Sequence, residues 1–118
     1  MGKRARRRGA VDKLAAPESS YTSPGGDELV LRGAMTPKTR TQYASVLHGG
    51  LQQEDAWQRA VEFLFERLAV RWMVSGVPTE GQKALVMRFR VATQDERRWI
   101  RDVLREHLAE QFPDLEAP

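Results

Sequence analysis

Cysteine is absent from this chain, and histidine occurs only twice, as His48 and His107. Without cysteine there are no disulfides, thiolate metal sites or thiol catalysis, and two separate histidines do not supply a metal-ligand set. No apolar run approaches the ~20 residues of a membrane-spanning helix. The charged N-terminus also lacks the apolar stretch of a secretory signal. These absences predict a soluble, cytoplasmic protein that has no membrane anchor, metal ion or other cofactor.

Sequence motifs for catalysis are also missing. The glycines occur as the pairs Gly25-Gly26 and Gly49-Gly50 or singly, and none opens a helix after a strand as a phosphate-binding loop would. No serine has a histidine and an acid at motif spacing, and no two carboxylates stand out as an acid and base pair. The sequence therefore predicts a protein that is not an enzyme.

Positive charge, in contrast, is concentrated at one end of the chain. Residues 1–26 hold six Lys/Arg and two Asp/Glu residues, whereas residues 27–118 hold 13 basic and 14 acidic residues. Proline, serine and glycine are frequent towards the end of the first segment, which has little apolar surface to bury. We therefore expect a disordered basic arm over residues 1–26 and one helical domain over residues 27–118.

Three helices are expected from apolar periodicity and capping residues. The first begins at Thr36-Pro37 and ends at the Gly49-Gly50 pair. The second extends from about residue 54 to residue 75, where Gly76 is the natural stop. The last begins at the capping box of Thr93 and Glu96 and ends before Pro113.

The segment 82–92 fits two structures. As a helix capped by Thr79 it turns Leu85, Val86 and Phe89 inward, but Leu85, Met87 and Phe89 also alternate as they would in a strand. The helix formers at 82–85 favour the helix, which predicts an all-α, bundle-like domain of about four helices. The alternative is an α+β fold with a short hairpin formed by residues 28–32 and 84–91.

Two apolar stripes run along the predicted second helix. The broad stripe contains Trp57, Val61, Leu64, Phe65, Leu68 and Trp72, and the narrow one contains Phe63, Val70 and Val74. A helix that packs only on its own small domain needs one stripe. Either this helix is central and covered on both sides, or the narrow stripe is a partner interface, which would allow a homodimer.

The polar side of the last helix carries a row of arginines beside a row of acids. The basic row is Arg97, Arg98, Arg101 and Arg105, and the acidic row is Asp95, Asp102, Glu106 and Glu110. Neighbouring opposite charges favour a solvated, self-neutralised face, with a secondary binding stripe as the alternative. His107 falls among the apolar residues of this helix and is interpreted as a hydrogen-bonded core residue.

The sequence favours two functions over an enzyme or a ligand carrier. The first is a non-catalytic helical interaction module, a self-associating adaptor or regulatory protein that uses the narrow stripe. The second is a nucleic-acid-binding accessory protein that uses its arm, because five cations lie within six positions of it. Those cations, which would bind nucleic acid or an acidic partner, are Lys3, Arg4, Arg6, Arg7 and Arg8.

Overall fold

The structure is a computed structural model that describes residues 17–49 and 52–118. Each of its two β-hairpins is followed by a pair of helices. In chain order the elements are β1 (Glu18–Thr22), β2 (Glu28–Arg32), α1 (Pro37–Leu47), α2 (Gln53–Leu68), β3 (Ala69–Val74), β4 (Val77–Glu80), α3 (Gln82–Arg90) and α4 (Gln94–Gln111).

The predicted all-α bundle is wrong, because the described residues form an α+β fold. Their four strands make one antiparallel sheet in the order β1-β2-β3-β4. The alternative prediction had the right class but the wrong pairing, since β2 lies between β1 and β3 and the segment 84–91 is helical. The short apolar run of β2 finds both of its strand partners elsewhere in the chain.

The predicted second helix ends seven residues early. Its backbone becomes extended at Ala69 (φ −68°, ψ 128°), and the following residues pair with β2 and β4. Ser75 and Gly76 both have positive φ, at 52° and 80°, which suits a two-residue hairpin turn between twisted strands. Gly76 therefore completes a hairpin turn and does not cap a helix.

This change of element also removes the narrow stripe. Phe63 belongs to α2, whereas Val70 and Val74 belong to β3, so the three residues do not share a helix face. Val70 lies at the irregularity in the β2–β3 register, where Val30 pairs with Arg71 and Leu31 pairs with Ala69. The interpretation of the second helix as doubly apolar is therefore wrong.

Part of the predicted arm is ordered structure. Residues 18–22 form β1, which pairs with β2 from Glu18 opposite Arg32 to Thr22 opposite Glu28. Within the turn, the Ser23 side chain accepts a hydrogen bond from the Asp27 amide at 3.0 Å. The strand depends on this pairing, which a local reading of composition does not reveal. Residues 1–16 lie outside the described residues.

The other three helices form where the sequence predicted them. Thr36 caps α1 by accepting a hydrogen bond from the Thr39 amide, with Pro37 at the first helical position. The segment 82–90 is helical as expected, but its N-cap is Gly81, because Thr79, the predicted cap, lies in β4. Both hydrogen bonds of the capping box between Thr93 and Glu96 are present at the start of α4.

A single core joins the sheet to the helices. Leu29 and Leu31 of β2 are fully buried, and Trp72 of β3 is 1% exposed. Helix α2 contributes Ala60, Leu64, Phe65 and Leu68, helix α4 contributes Ile100, Leu104 and Leu108, and Tyr43 and Leu47 come from α1. Alternate positions of β2 thus bury one face of the sheet under the helices.

We predict that the junction between α2 and β3 is a major source of stability. Leu68→Ala should lower the free energy of unfolding by about 2–5 kcal/mol, because Leu68 is fully buried in this core. Val77→Ala on β4 is the matched control, since Val77 is 65% exposed and its loss should change stability by under about 0.5 kcal/mol. Equal effects in urea denaturation would contradict the described junction.

Candidate functional site

A concave surface lies where the first half of α2 meets the end of α3 and the start of α4. Its volume is about 490 Å³. Its lining combines three arginines and two aromatic side chains with a single acidic residue, and we call it the arginine groove. It is lined by Glu54, Trp57, Gln58, Val61, Phe89, Ala92, Gln94, Arg97, Arg98 and Arg101.

The turn between α3 and α4 positions the arginines. The Thr93 capping box begins α4, so that Arg97 and Arg101 follow at one-turn spacing. The Arg97 guanidinium donates to the Arg90 carbonyl at the end of α3, at 2.8 Å, and lies 5.1 Å from the centre of the Phe89 ring. Arg97 thereby satisfies a carbonyl that the helix end leaves unpaired.

Arg101 has hydrogen-bonding capacity that its contacts in the groove leave unused. Its guanidinium lies 5.5 Å from the centre of the Trp57 ring. Its Nε is buried and, among the described residues, has no hydrogen-bond partner. An arginine stacked on tryptophan is held in place while its planar donors can still bind a carboxylate or phosphate. Arg101 is therefore suited to receive an anionic group.

The electrostatic balance of the groove is positive. Glu54 is the one acidic residue among its described lining, against Arg97, Arg98 and Arg101. Arg98 has a carboxylate oxygen of Asp95 at 3.6 Å, but both side chains are well exposed to solvent. Such an exposed pair contributes little and leaves Arg98 available to a ligand.

A second groove of about 770 Å³ adjoins the first and shares Gln58, Phe89 and Arg97 with it. Its charges largely neutralise one another: Asp55, Glu62 and Glu66 face Arg59 and Arg90 as well as Arg97. Arg90 donates to Glu62 at 3.1 Å across this surface. The arginine groove is therefore the more strongly cationic of the two.

The structure divides the arginine row of the last helix. Arg97, Arg98 and Arg101 line the groove together. Arg105 instead donates to the Pro118 carbonyl oxygen at 2.6 Å. Sequence spacing placed the four arginines on one stripe but did not show that the last of them binds the C-terminal segment.

The residues of the predicted partner interface lie on two different elements. Phe63 packs between helices, with its ring centre 6.3 Å from that of Tyr43 and 5.0 Å from the Arg67 guanidinium. Val70 and Val74 lie on β3. The predicted arm residues Lys3, Arg4, Arg6, Arg7 and Arg8 lie outside the described residues.

His107 is a buried, hydrogen-bonded core residue, as the sequence predicted. Its Nε2 lies 2.6 Å from the Arg32 carbonyl oxygen and its Nδ1 lies 2.8 Å from the Tyr21 hydroxyl. The sequence did not identify Tyr21 as a partner, because Tyr21 fell within the predicted arm. It also grouped Trp57 with the residues of the broad apolar stripe, whereas the Trp57 ring is partly exposed in the groove.

Over residues 17–49 and 52–118, no three His, Asp or Glu side chains are grouped so that they could hold a metal ion. In the same residues, no helix has both the length and the apolar content to cross a membrane. Comparison of the chain with protein-family models, with curated proteins and with solved structures found no match in any of the three.

Glu96 links the capping box to α3 and gives a pH-dependent prediction. Partial burial raises the pKa of the Glu96 carboxyl, but hydrogen bonds from Arg88 and from the Thr93 amide lower it overall. Because the folded-state pKa is depressed, this stabilisation is present above the unfolded pKa of about 4.3 and is lost as the pH falls through the folded value.

Glu96→Gln should therefore destabilise the protein by about 1 kcal/mol at neutral pH. The difference from wild type should shrink as the pH falls below about 4, because the wild-type carboxyl is then protonated. Asp95→Asn is the control, since Asp95 is exposed in the same turn and lies outside the capping box. A Glu96→Gln effect that is independent of pH in urea denaturation would contradict this account.

Proposed function

We propose that the protein is a non-catalytic, cytoplasmic interaction module that binds an acidic segment of a partner protein in the arginine groove. The observation that carries this proposal is the placement of Arg97, Arg98 and Arg101 beside Trp57 and Phe89 in one concave surface. Arginine and aromatic side chains are the groups that most often anchor protein interfaces.

The groove combines two kinds of attraction. The Trp57 and Phe89 rings offer apolar surface to a side chain of the partner. The guanidinium of Arg101, which lies over the Trp57 ring, can form charge-assisted hydrogen bonds with a carboxylate. An acidic segment with interspersed apolar residues matches both features.

Acids around the groove favour a peptide over a nucleic acid. Glu54 lines the groove, Asp55 follows it on α2, and the highly exposed Asp95 lies in the first turn of α4. A nucleic acid carries a charge at every phosphate and would be repelled by these carboxylates, whereas a peptide can place its apolar residues beside them and its carboxylates at the arginines. The concave shape likewise suits individual side chains.

The sequence argument for self-association rested on one helix face, which Phe63, Val70 and Val74 do not share. The proposed partner is therefore a different protein that supplies negative charge. This leaves an adaptor or regulatory protein whose effect comes from binding.

The groove can be tested with a fluorescein-labelled dodecapeptide of alternating Glu and Leu residues, measured by fluorescence anisotropy. Wild-type protein should bind it, and Arg101→Gln should weaken the affinity roughly tenfold, since a charge-assisted hydrogen bond contributes about 1.5–3 kcal/mol. Lys38→Gln removes the same charge from an exposed position on α1 and should leave the affinity within about twofold.

Three outcomes would overturn the proposal. One is a wild type that does not bind the acidic peptide, and another is equal binding of the matched peptide in which Gln replaces Glu. The third is an affinity that falls equally in both variants. A labelled oligothymidylate that binds more tightly than the peptide, and is lost with Arg101→Gln, would instead assign the groove to nucleic acid.

A second candidate function rests on a separate observation in the sequence. Lys3, Arg4, Arg6, Arg7 and Arg8 concentrate five cations in six positions, as in arms that follow a phosphate backbone. No aromatic residue lies among them, so the expected contacts are electrostatic and independent of base sequence. This candidate function is nucleic-acid binding through the N-terminal segment.

Replacing Arg4, Arg6, Arg7 and Arg8 with Ala should abolish binding to duplex DNA if this second candidate is correct. The wild-type affinity should fall steeply with salt, because each phosphate contact contributes about −0.9 to the log–log slope. Filter binding at several salt concentrations measures both effects. Binding that survives this change but disappears in Arg97→Gln/Arg101→Gln would transfer the site to the groove.

A further inference from the structure

Tyr21, His107 and Glu110 form a cluster between the first strand and the last helix. The Tyr21 hydroxyl lies 2.8 Å from His107 Nδ1 and 3.2 Å from Glu110 Oε1. His107 is fully buried, and its ring meets the Tyr21 ring edge to face with centres 5.7 Å apart. The cluster connects β1, which lies at the edge of the sheet, to α4.

The backbone determines which nitrogen of His107 carries a proton. Nε2 is 2.6 Å from the Arg32 carbonyl oxygen, and a carbonyl can only accept a hydrogen bond. Nε2 is therefore protonated in either charge state of the ring. In the neutral ring Nδ1 then has no proton and accepts the hydrogen bond that the Tyr21 hydroxyl donates.

Protonation of His107 reverses this bond. The charged ring has a hydrogen on both nitrogens, so Nδ1–H must donate to the Tyr21 oxygen. The hydroxyl hydrogen of Tyr21 is then free to turn to Glu110 Oε1, which already lies at 3.2 Å. Each donor still has an acceptor, and the carboxylate of Glu110 compensates the new charge through the tyrosine.

We propose that Tyr21, His107 and Glu110 form a proton-responsive latch that holds β1 on α4 in both charge states of His107. In the neutral state the tyrosine donates to the histidine. In the charged state the histidine donates to the tyrosine and the tyrosine to the glutamate.

The groups around the latch are contributed by three elements. Glu106 and Glu110 lie on α4, Ser19 lies on β1 and can bond to the Tyr21 hydroxyl, and Arg32 of β2 contributes its carbonyl. The Arg32 guanidinium lies 3.4 Å from the carbonyl of Ala69, away from the ring. The Phe112 ring packs against His107 with the two ring centres 5.9 Å apart, and it brings no charge to the histidine.

These surroundings agree with two opposed pH effects. Burial lowers the pKa of His107, and the Arg32 carbonyl and Glu110 partly oppose this effect. The stability that the neutral ring contributes to the fold is therefore lost as the pH falls below the unfolded pKa of about 6.5. Burial raises the pKa of Tyr21 to about 12, with a further contribution from Glu110. Stability from Tyr21 is therefore lost as the pH rises from about 10 towards 12.

The test is the NMR titration of the His107 ring nitrogens in the full-length protein. At pH 8 the spectrum should show the neutral ring with its proton on Nε2. Glu110→Gln should lower the titration midpoint by about one pH unit, because the compensating carboxylate is gone. Glu106→Gln removes the same charge one turn earlier, outside the hydrogen-bonded chain, and should give a clearly smaller shift.

Tyr21→Phe supplies the decisive comparison. Without the hydroxyl, Glu110 has no hydrogen-bonded path to the ring, so adding Glu110→Gln to this variant should shift the midpoint less than it does in wild type. Equal shifts in the two backgrounds, or equal shifts for Glu106→Gln and Glu110→Gln, would reduce the cluster to general electrostatics and overturn the proposal. So would a proton on Nδ1 in the neutral ring, or a ring that stays neutral until the protein unfolds in acid.

Discussion

Strand β2 is the element on which the remaining structure depends, because it pairs with a strand on each side and also contributes buried residues to the core. Leu29 and Leu31 are fully buried beneath the helices, while the backbone of the same strand bonds to β1 and β3. A central strand with no partners would leave its amides and carbonyls unsatisfied. The requirement to pair β2 therefore explains why residues 69–74, which could extend α2, become a strand.

Short stretches of sequence were sufficient to predict a helix where its capping hydrogen bonds form between neighbouring residues. The Thr36 cap and the capping box at Thr93 satisfy helix amides within one turn, so α1 and α4 could be predicted from short windows. The helix at 82–90 followed from residues that favour helix. The end of α2 could not be found in this way, because Leu68 and Trp72 keep the helical spacing although Trp72 belongs to a strand.

The candidate site shows the same limit. Sequence spacing identified the arginine row, since i, i+4 neighbours share a helix face whatever surrounds them. It did not show that Arg101 stacks on Trp57 or that Arg105 turns to Pro118, because those partners lie 44 and 13 residues away and meet only in the folded chain. A partly exposed tryptophan opposite an arginine has the same residue pattern as a buried one.

The arginine groove and the latch both use side chains of helix α4, but they do not contact each other directly. Arg97 and His107 are ten residues apart on an 18-residue helix, which separates them by about 15 Å along its axis. Substitutions more than about 7–10 Å apart that share no partner usually have additive effects. The groove arginines contact Trp57, Phe89 and the end of α3, whereas His107 contacts β1 and β2, so the two sets have no side chain in common. A change in the latch that altered peptide binding would therefore have to act through a rigid movement of α4 itself.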